Sequence, residues 1–310
     1  MKILVLGAGA IGGYYGARLI EAGADVTFLV RPGRRQQLIE RGLHVESGVG
    51  DFARPVKTVT AVSTEDRFDL VLLTCKAYDL DGAADAIAPA VAAGANVLPF
   101  LNGLGAYDRL DARFGRDHVL GGVAYVATTL GDDGVIRHLA DADTMIVGPR
   151  DETSRRLAED FFAIVRQTPG TRQFSDAINQ ALWNKWVLLS SGASVCCLMR
   201  GVLKEILATD SGETIMRRAI GECEAVAAAS GFPPSEETRQ WTEGYLIAPA
   251  SNWAASMMRD IAQGRPRLEA DAIVGDMLAR ANALGIPAPV TEMAFAHLQV
   301  YMNRQRELAD

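Results

Sequence analysis

The chain has 310 residues, of which 49% are hydrophobic and 22% are charged, a composition that excludes a wholly disordered protein. Its 31 basic and 38 acidic side chains give a net charge of −7, which argues against a general nucleic-acid binder. The length suits two domains rather than one.

The first half of the chain alternates short apolar runs with helical patterns. A strand predicted at residues 2–6 leads through a glycine motif into a helix that ends near residue 21. The other predicted strands cover 26–30, 70–74, 96–101, 119–128, 135–139, 144–147 and 171–174, and further helices are predicted at 79–93 and 151–166. This alternation predicts a Rossmann-like, doubly wound parallel sheet over residues 1–174.

The second half of the chain, from residue 175 to residue 310, shows helical patterns only. The predicted helices cover 176–199, 210–230, 235–247, 251–263, 267–284 and 290–307. Breaks that contain proline separate several of them, and we therefore expect an all-helical C-terminal domain over 175–310. The fold class predicted for the whole chain is α/β with this helical addition.

Neither the cysteines nor the N-terminus indicates an extracellular or membrane protein. The four cysteines include an adjacent pair, which fits buried thiols in a reducing compartment better than disulfides or a zinc site. The four histidines lack metal-binding spacing. The N-terminal apolar run stops after four residues, and no stretch reaches the ~18–20 apolar residues of a membrane span. We expect a soluble, cytoplasmic protein without metal or membrane partners.

A Gly-x-Gly-x-x-Gly motif lies between the first strand and the first helix. Gly7 would allow the tight turn, Gly9 would let a pyrophosphate approach the backbone, and Gly12 would let the helix pack on the strand. The N–H groups of the first helical turn, at Ala10, Ile11 and Gly12, would then face the phosphates. This context favours a dinucleotide site over an ordinary glycine-rich turn.

The end of the second strand favours NADP over NAD. Arg31 stands where, in an NAD-binding site, an acidic residue would bond the ribose hydroxyl. Residues 26–39 contain no acidic residue, and Arg34 and Arg35 follow Arg31. Lys76, directly after the third strand, is a candidate for a second contact to the 2′-phosphate end. The alternative is a solvated basic loop.

The candidates for catalysis lie on a third group of motifs. Asn102-Gly103 follows the fourth strand, Lys185 stands between two tryptophans, Ser256-Met257 comes later, and Glu269 follows a Gly-Arg-Pro sequence. Together with the earlier motifs, this ordered set resembles the ketopantoate reductase (2-dehydropantoate 2-reductase) family over nearly the whole chain.

The resemblance implies a role for each of these residues. Lys185 would be the general acid that protonates the substrate carbonyl oxygen while NADPH delivers hydride, and Glu269 would hold its ammonium group. Asn102, beside the nicotinamide, would orient the lysine or the carbonyl, and Ser256 would bond the substrate carboxylate. Desolvation between Trp183 and Trp186 would lower the pKa of the lysine. Without the resemblance, Lys185 would be interpreted as a snorkelling surface lysine.

The implied activity is reduction of a 2-oxo acid, by default 2-dehydropantoate to pantoate in pantothenate biosynthesis. The chain departs from the family where asparagines are expected four and eight residues after the lysine, because Leu189 and Ala193 stand there. We therefore expect a more apolar substrate pocket. Three alternatives remain: a different 2-oxo acid, a dinucleotide-binding sensor with weak catalysis, and a dehydrogenase of hydroxyacyl or amino-acid-derived substrates.

The oligomeric state is the least readable property of the sequence. Large apolar side chains of the helical half would form either the face of a homodimer or the core, and we favour the core: Trp241, Trp253, Met257 and Met258.

Overall fold

The computed structural model describes residues 1–308, apart from the side chain at position 141. The chain divides into two compact units. The first unit comprises Met1–Leu101 and Tyr107–Ala181, and the second comprises Asn102–Ala106 together with the chain from Leu182 onward.

The first unit is built around a five-stranded parallel sheet. Its strands are β1 (Lys2–Leu6), β2 (Asp25–Leu29), β5 (Lys57–Val59), β6 (Leu70–Leu73) and β7 (Asn96–Pro99). They lie in the order β5-β2-β1-β6-β7. From β1 the chain adds strands on one side of the sheet and then, from β6, on the other, so the switch point lies between β1 and β6. Ligands of such sheets bind outside the carboxyl ends of the strands at this switch point.

A second, mixed sheet completes the first unit. It contains β3 (Leu43–Glu46), β4 (Phe52–Arg54), β8 (Gly121–Leu130), β9 (Ile136–Gly148) and β10 (Thr171–Phe174). The prediction of one parallel sheet was therefore wrong for the strands after residue 119. The two strands predicted at 135–139 and 144–147 are one long strand, which pairs in antiparallel register with β8.

The polar residues in the middle of β9 concealed this continuity. Asp143 looks like a turn residue, yet its buried carboxylate accepts hydrogen bonds from the hydroxyls of Tyr14 (2.8 Å) and Tyr15 (3.0 Å) and pairs with Arg172. A buried carboxylate satisfied in this way is compatible with a strand. Burial raises the pKa of Tyr14 to about 12, and the charge of the same carboxylate contributes to this rise.

Helices flank the strands of the first unit. They are α1 (Ala10–Glu21), α2 (Pro32–Arg41), α3 (Leu80–Ala92), α4 (Gly105–Phe114) and α5 (Arg155–Val165). The predicted α/β fold with a helical C-terminal region is confirmed. Three short strands, β3, β4 and β5, and the helices α2 and α4 were not predicted, because each has only three to ten residues and little apolar periodicity.

The second unit is helical, as predicted. Its helices are α6 (Ile178–Met199), α7 (Leu203–Leu207), α8 (Gly212–Ala229), α9 (Glu236–Leu246), α10 (Ser256–Ala262), α11 (Asp276–Ala283) and α12 (Pro289–Glu307). The helix predicted at 267–284 differs, because a π-helical segment, Asp271–Gly275, precedes α11. Among the described residues, no helix is both long and apolar enough to cross a membrane.

Candidate active site

The glycine motif forms a tight loop between β1 and α1. Gly7 has a φ of +92°, a conformation that side chains rarely adopt, and its N–H continues the sheet by bonding the carbonyl of Leu29 at 2.9 Å. A Cβ on Gly12 would overlap the carbonyl oxygen of Gly7 and the hydroxyl of Thr74, which itself donates to Leu6. These two glycines are therefore required by backbone conformation and by packing.

The N-terminus of α1 fits a pyrophosphate. Gly9 is the N-cap residue and offers no side chain to bond the first N–H groups, and no acidic residue lies in the first turn. A Cβ added at Gly9 would meet nothing within 4 Å, so the backbone there is open. The N–H groups of Ala10, Ile11 and Gly12 belong to the first helical turn, where amides lack helical partners and attract anions.

Arg31 and Lys76 lie on neighbouring loops at the carboxyl end of this sheet. Arg31 directly precedes α2 and is 88% exposed, and its guanidinium lies 3.8 Å from the carboxylate of Asp79. Lys76 begins the short turn that contains Asp79 and is also exposed. A planar guanidinium and an ammonium group on these loops suit a phosphate monoester.

Arg34 has a different role from the other basic residues of this loop. Its side chain is half-buried and donates to the carbonyl oxygens of Ala8 (3.1 Å) and Gly134 (3.2 Å). Burial lowers the pKa of its guanidinium below the ordinary value of arginine. Arg34 therefore connects the glycine loop to the β8–β9 turn through hydrogen bonds. Sequence reasoning missed this role because the partners are backbone carbonyls far along the chain.

Lys185 lies in the helical unit on α6 and is only 8% exposed. Desolvation lowers the pKa of its ammonium group from 10.5 to about 8, and the nearby carboxylate of Glu269 opposes this shift. The flanking rings of Trp183 and Trp186 are also buried, with centroids 5.1 Å apart. A lysine in this environment exchanges its proton near neutral pH, which suits a general acid.

Glu269 is 6% exposed and is flanked by core residues. Leu268 and Ala270, on either side of it, belong to one hydrophobic cluster of the helical unit. Ala255 and Met257, on either side of the half-buried Ser256, belong to the same cluster. One packed core therefore fixes the backbone on both sides of these two polar residues.

Asn102 belongs to the helical unit although its segment follows a strand of the sheet. It is half-buried and precedes Gly103, whose φ is +84°. A Cβ on Gly103 would overlap the carbonyl oxygen of Ala272. The Asn-Gly turn is therefore closely packed against the segment that follows Glu269.

The α6 positions that carry asparagines in the resembled family are apolar. Ala193 is buried in the hydrophobic cluster of the helical unit, and Leu189 packs against that cluster. Three neighbouring serines, Ser190, Ser191 and Ser194, are fully buried. The hydroxyl of Ser191 donates back to α6 itself, so Ser191 does not replace the missing amides.

The cysteines and apolar side chains follow the sequence expectations in part. Burial raises the pKa of the Cys196 thiol to about 11 and the pKa values of Cys197 and Cys223 to about 12, whereas Cys75 is partly exposed. Met257 is a core residue, but Trp241 is 47% exposed. Across the described residues, no group of three or more His, Cys, Asp or Glu side chains could hold a metal ion.

Comparisons with known proteins show which proteins the chain resembles. Residues 3–152 match the family model described as ketopantoate reductase PanE/ApbA, and residues 177–302 match the model of its C-terminal part. The chain is 32% identical over 305 residues to the uncharacterized oxidoreductase YkpB of Bacillus subtilis, covering 97% of this chain and 99% of that protein.

Two solved structures extend the comparison. A 2-dehydropantoate 2-reductase from Geobacter metallireducens has 33% identity and a TM-score of 0.86, covering 96% of this chain and 99% of its own. A D-mandelate dehydrogenase with NADH and anilino(oxo)acetate has a TM-score of 0.88 at 20% identity, covering 99% of both chains, and shares the fold.

The fold and the glycine loop define a nicotinamide-dependent oxidoreductase that acts on CH–OH groups. The chain belongs to the ketopantoate reductase family. NADP(H) is its cofactor, and the open N-terminus of α1 and the exposed Arg31 fit the phosphates of this molecule.

Proposed function

We propose that the protein reduces a 2-oxo acid to a 2-hydroxy acid with NADPH, using Lys185 as the general acid. The observation that carries the proposal is the buried lysine beside a buried carboxylate, with a pKa near 8. A lysine whose pKa lies close to neutrality donates a proton far more readily than one at its ordinary value.

The reaction needs one hydride and one proton. NADPH, when bound, supplies the hydride to the carbonyl carbon of the substrate. Lys185 donates a proton from Nζ to the carbonyl oxygen as negative charge develops there, and Glu269 stabilises the ammonium form that must be present beforehand. Asn102 orients the lysine or the carbonyl, and Ser256 bonds the substrate carboxylate. The amine left on Lys185 then regains a proton from solvent.

The two units would divide this work between them. The parallel sheet, within residues 1–174, would bind the cofactor through the glycine loop, Arg31 and Lys76. The helical part, within residues 175–310, would carry Lys185, Glu269 and Ser256, and Asn102 would be contributed by the turn at 102–106. The fold is common to enzymes with different substrates, so the substrate has to be argued from the site itself.

The default substrate is 2-dehydropantoate, reduced to pantoate for pantothenate biosynthesis in the cytoplasm. Leu189 and Ala193 favour a second candidate, a more apolar 2-oxo acid, because a substrate hydroxyl would find no amide partner on that face of α6. For the assembly we propose a homodimer whose face includes Trp241, an apolar side chain of the helical half that is 47% exposed. Consumption of NADPH with a panel of branched 2-oxo acids tests the activity and separates the two substrates.

A further inference from the structure

The π-helical segment Asp271–Gly275 begins two residues after Glu269. The backbone N–H of Ile273 donates to the backbone carbonyl of Glu269 at 3.0 Å, so the segment is bonded directly to the backbone of the glutamate. Short π-helical turns inside helices are uncommon, and many of those that occur lie at functional sites. A Cβ on Gly275 would lie 2.7 Å from the Phe295 ring, so α12 packs closely on the end of the segment.

The segment also contacts α6 at the residue after the proposed acid. The buried indole of Trp186 donates from Nε1 to the carbonyl oxygen of Ile273 at 3.0 Å, across 87 positions of sequence. A buried bond of this kind costs free energy when one partner is removed, because the other is left unsatisfied. Trp186 therefore links the position of Lys185 to the backbone that follows Glu269.

A third contact reaches the turn that carries Asn102. Gly103 approaches the carbonyl of Ala272 so closely that a side chain at this glycine would displace it. The next glycine, Gly105, faces Asp276 in the same way, with a Cβ position 3.3 Å from the carboxylate. The turn that carries Asn102 therefore packs directly against the π-helical segment and the start of α11.

We propose that the segment Asp271–Gly275 is a template that sets the positions of Asn102, Lys185 and Glu269, with Trp186 as a positioning residue. The inference rests on the proposed function for the roles of those three residues. Trp186 holds α6 so that Lys185 remains in the electric field of Glu269. Glu269 is the charged group that acts on the pKa of Lys185. Arg280 lies 5.3 Å from the ring of Trp186 and pairs with Asp276.

Lysine NMR measures the predicted effect without relying on turnover. The sequence has five lysines, at positions 2, 57, 76, 185 and 204, so protein labelled at the lysine side chains gives few signals. Lys185→Arg assigns the signal that titrates near pH 8. In Trp186→Phe, which keeps a ring but removes the N–H donor, the pKa of Lys185 should fall by about half a unit because Glu269 supports the ammonium less well.

The control and the coupling test make the experiment specific. Trp253→Phe removes an indole from the same helical unit without removing this bond and should leave the pKa of Lys185 unchanged. In a Glu269→Gln background, Trp186→Phe should cause no further fall, because the two changes act through one interaction. With a 2-oxo acid that the enzyme reduces, kcat of Trp186→Phe should fall by about tenfold to a hundredfold while NADPH affinity is retained.

An unchanged pKa of Lys185 in Trp186→Phe, or a rise toward 10.5 from entry of water, would overturn the proposal. If Trp186→Phe does not fold, Gly103→Ala tests the same template from the other side, and an unchanged pKa there overturns it equally. Failure of the proposed function gives a different result. In that case Lys185→Ala retains turnover, whatever pKa the NMR titration of Trp186→Phe gives.

Discussion

Glu269 opposes the effect of burial on Lys185. Burial alone favours the neutral amine, and the carboxylate raises the pKa of the lysine again, with a balance near 8. Both side chains are buried, so the interaction between them is weakly screened by solvent and salt. This balance keeps the lysine largely protonated at neutral pH while leaving the proton easy to transfer.

The pH dependence of turnover should follow this balance. Reduction needs the protonated lysine, so kcat for reduction should be constant at lower pH and should fall as pH rises through about 8. Oxidation of the hydroxy acid needs the neutral amine and should rise over the same range. Glu269→Gln removes the interaction that raises the pKa, so both transitions should move to lower pH. Stopped-flow pH profiles in both directions measure these shifts, and transitions that stay in place in Glu269→Gln would contradict the assignment.

Arg31 should distinguish the two nicotinamide cofactors. Arg31→Ala removes a charge-assisted contact worth ~1.5–3 kcal/mol, so the Kd for NADPH should rise by about tenfold or more while that for NADH stays the same. Arg41→Ala, at the other end of α2, is the matched control and should change neither. Fluorescence titration with both cofactors measures this, and equal weakening of both by Arg31→Ala would rule out the 2′-phosphate contact.

Arg34 should affect both cofactors equally, in contrast to Arg31. Its bonds go to the carbonyls of Ala8 and Gly134, so Arg34→Met frees the glycine loop that both dinucleotides share. We expect both Kd values to rise by about tenfold or more, as for the loss of hydrogen bonds from a charged group. Calorimetric titrations test this, and a loss confined to NADPH would mean that Arg34 contacts the 2′-phosphate instead.

Leu189 should limit recognition of a substrate hydroxyl. Leu189→Asn places an amide one turn after Lys185 and should raise the kcat/KM ratio of 2-dehydropantoate over an unsubstituted branched 2-oxo acid by about fivefold. Leu189→Ala, which removes the apolar side chain without adding an amide, is the control and should not raise this ratio. If both variants changed the ratio alike, position 189 would not face the substrate hydroxyl.

The sequence predicts much of the fold because its signals are local. A glycine motif between an apolar strand and a helix, and the change to helical patterns after residue 174, depend on neighbouring residues alone. The second sheet was missed because its strands gain stability from distant partners. Asp143 shows why: its polar side chain is compatible with a strand only because Tyr14, Tyr15 and Arg172 meet it there.

Part of the candidate site could likewise be predicted from the sequence and part could not. Lys185 and Glu269 were found by resemblance to a family, and the shifted pKa follows from their burial in this fold. The role of Arg34 and the bond from Trp186 to Ile273 were not predicted, because their acceptors are backbone carbonyls. Every residue has such a carbonyl, so the sequence does not distinguish the ones that accept these bonds. The π-helical segment is likewise invisible to helical periodicity.

The most direct test of the proposed function is NADPH consumption by the wild type and by Lys185→Met over a panel of 2-oxo acids. We predict measurable turnover of at least one branched 2-oxo acid by the wild type. We also predict a loss of about 10²–10⁴-fold in kcat for Lys185→Met with NADPH affinity retained, because only proton donation is removed. Turnover by Lys185→Met equal to that of the wild type, or tight NADPH binding without turnover of any 2-oxo acid, would contradict it.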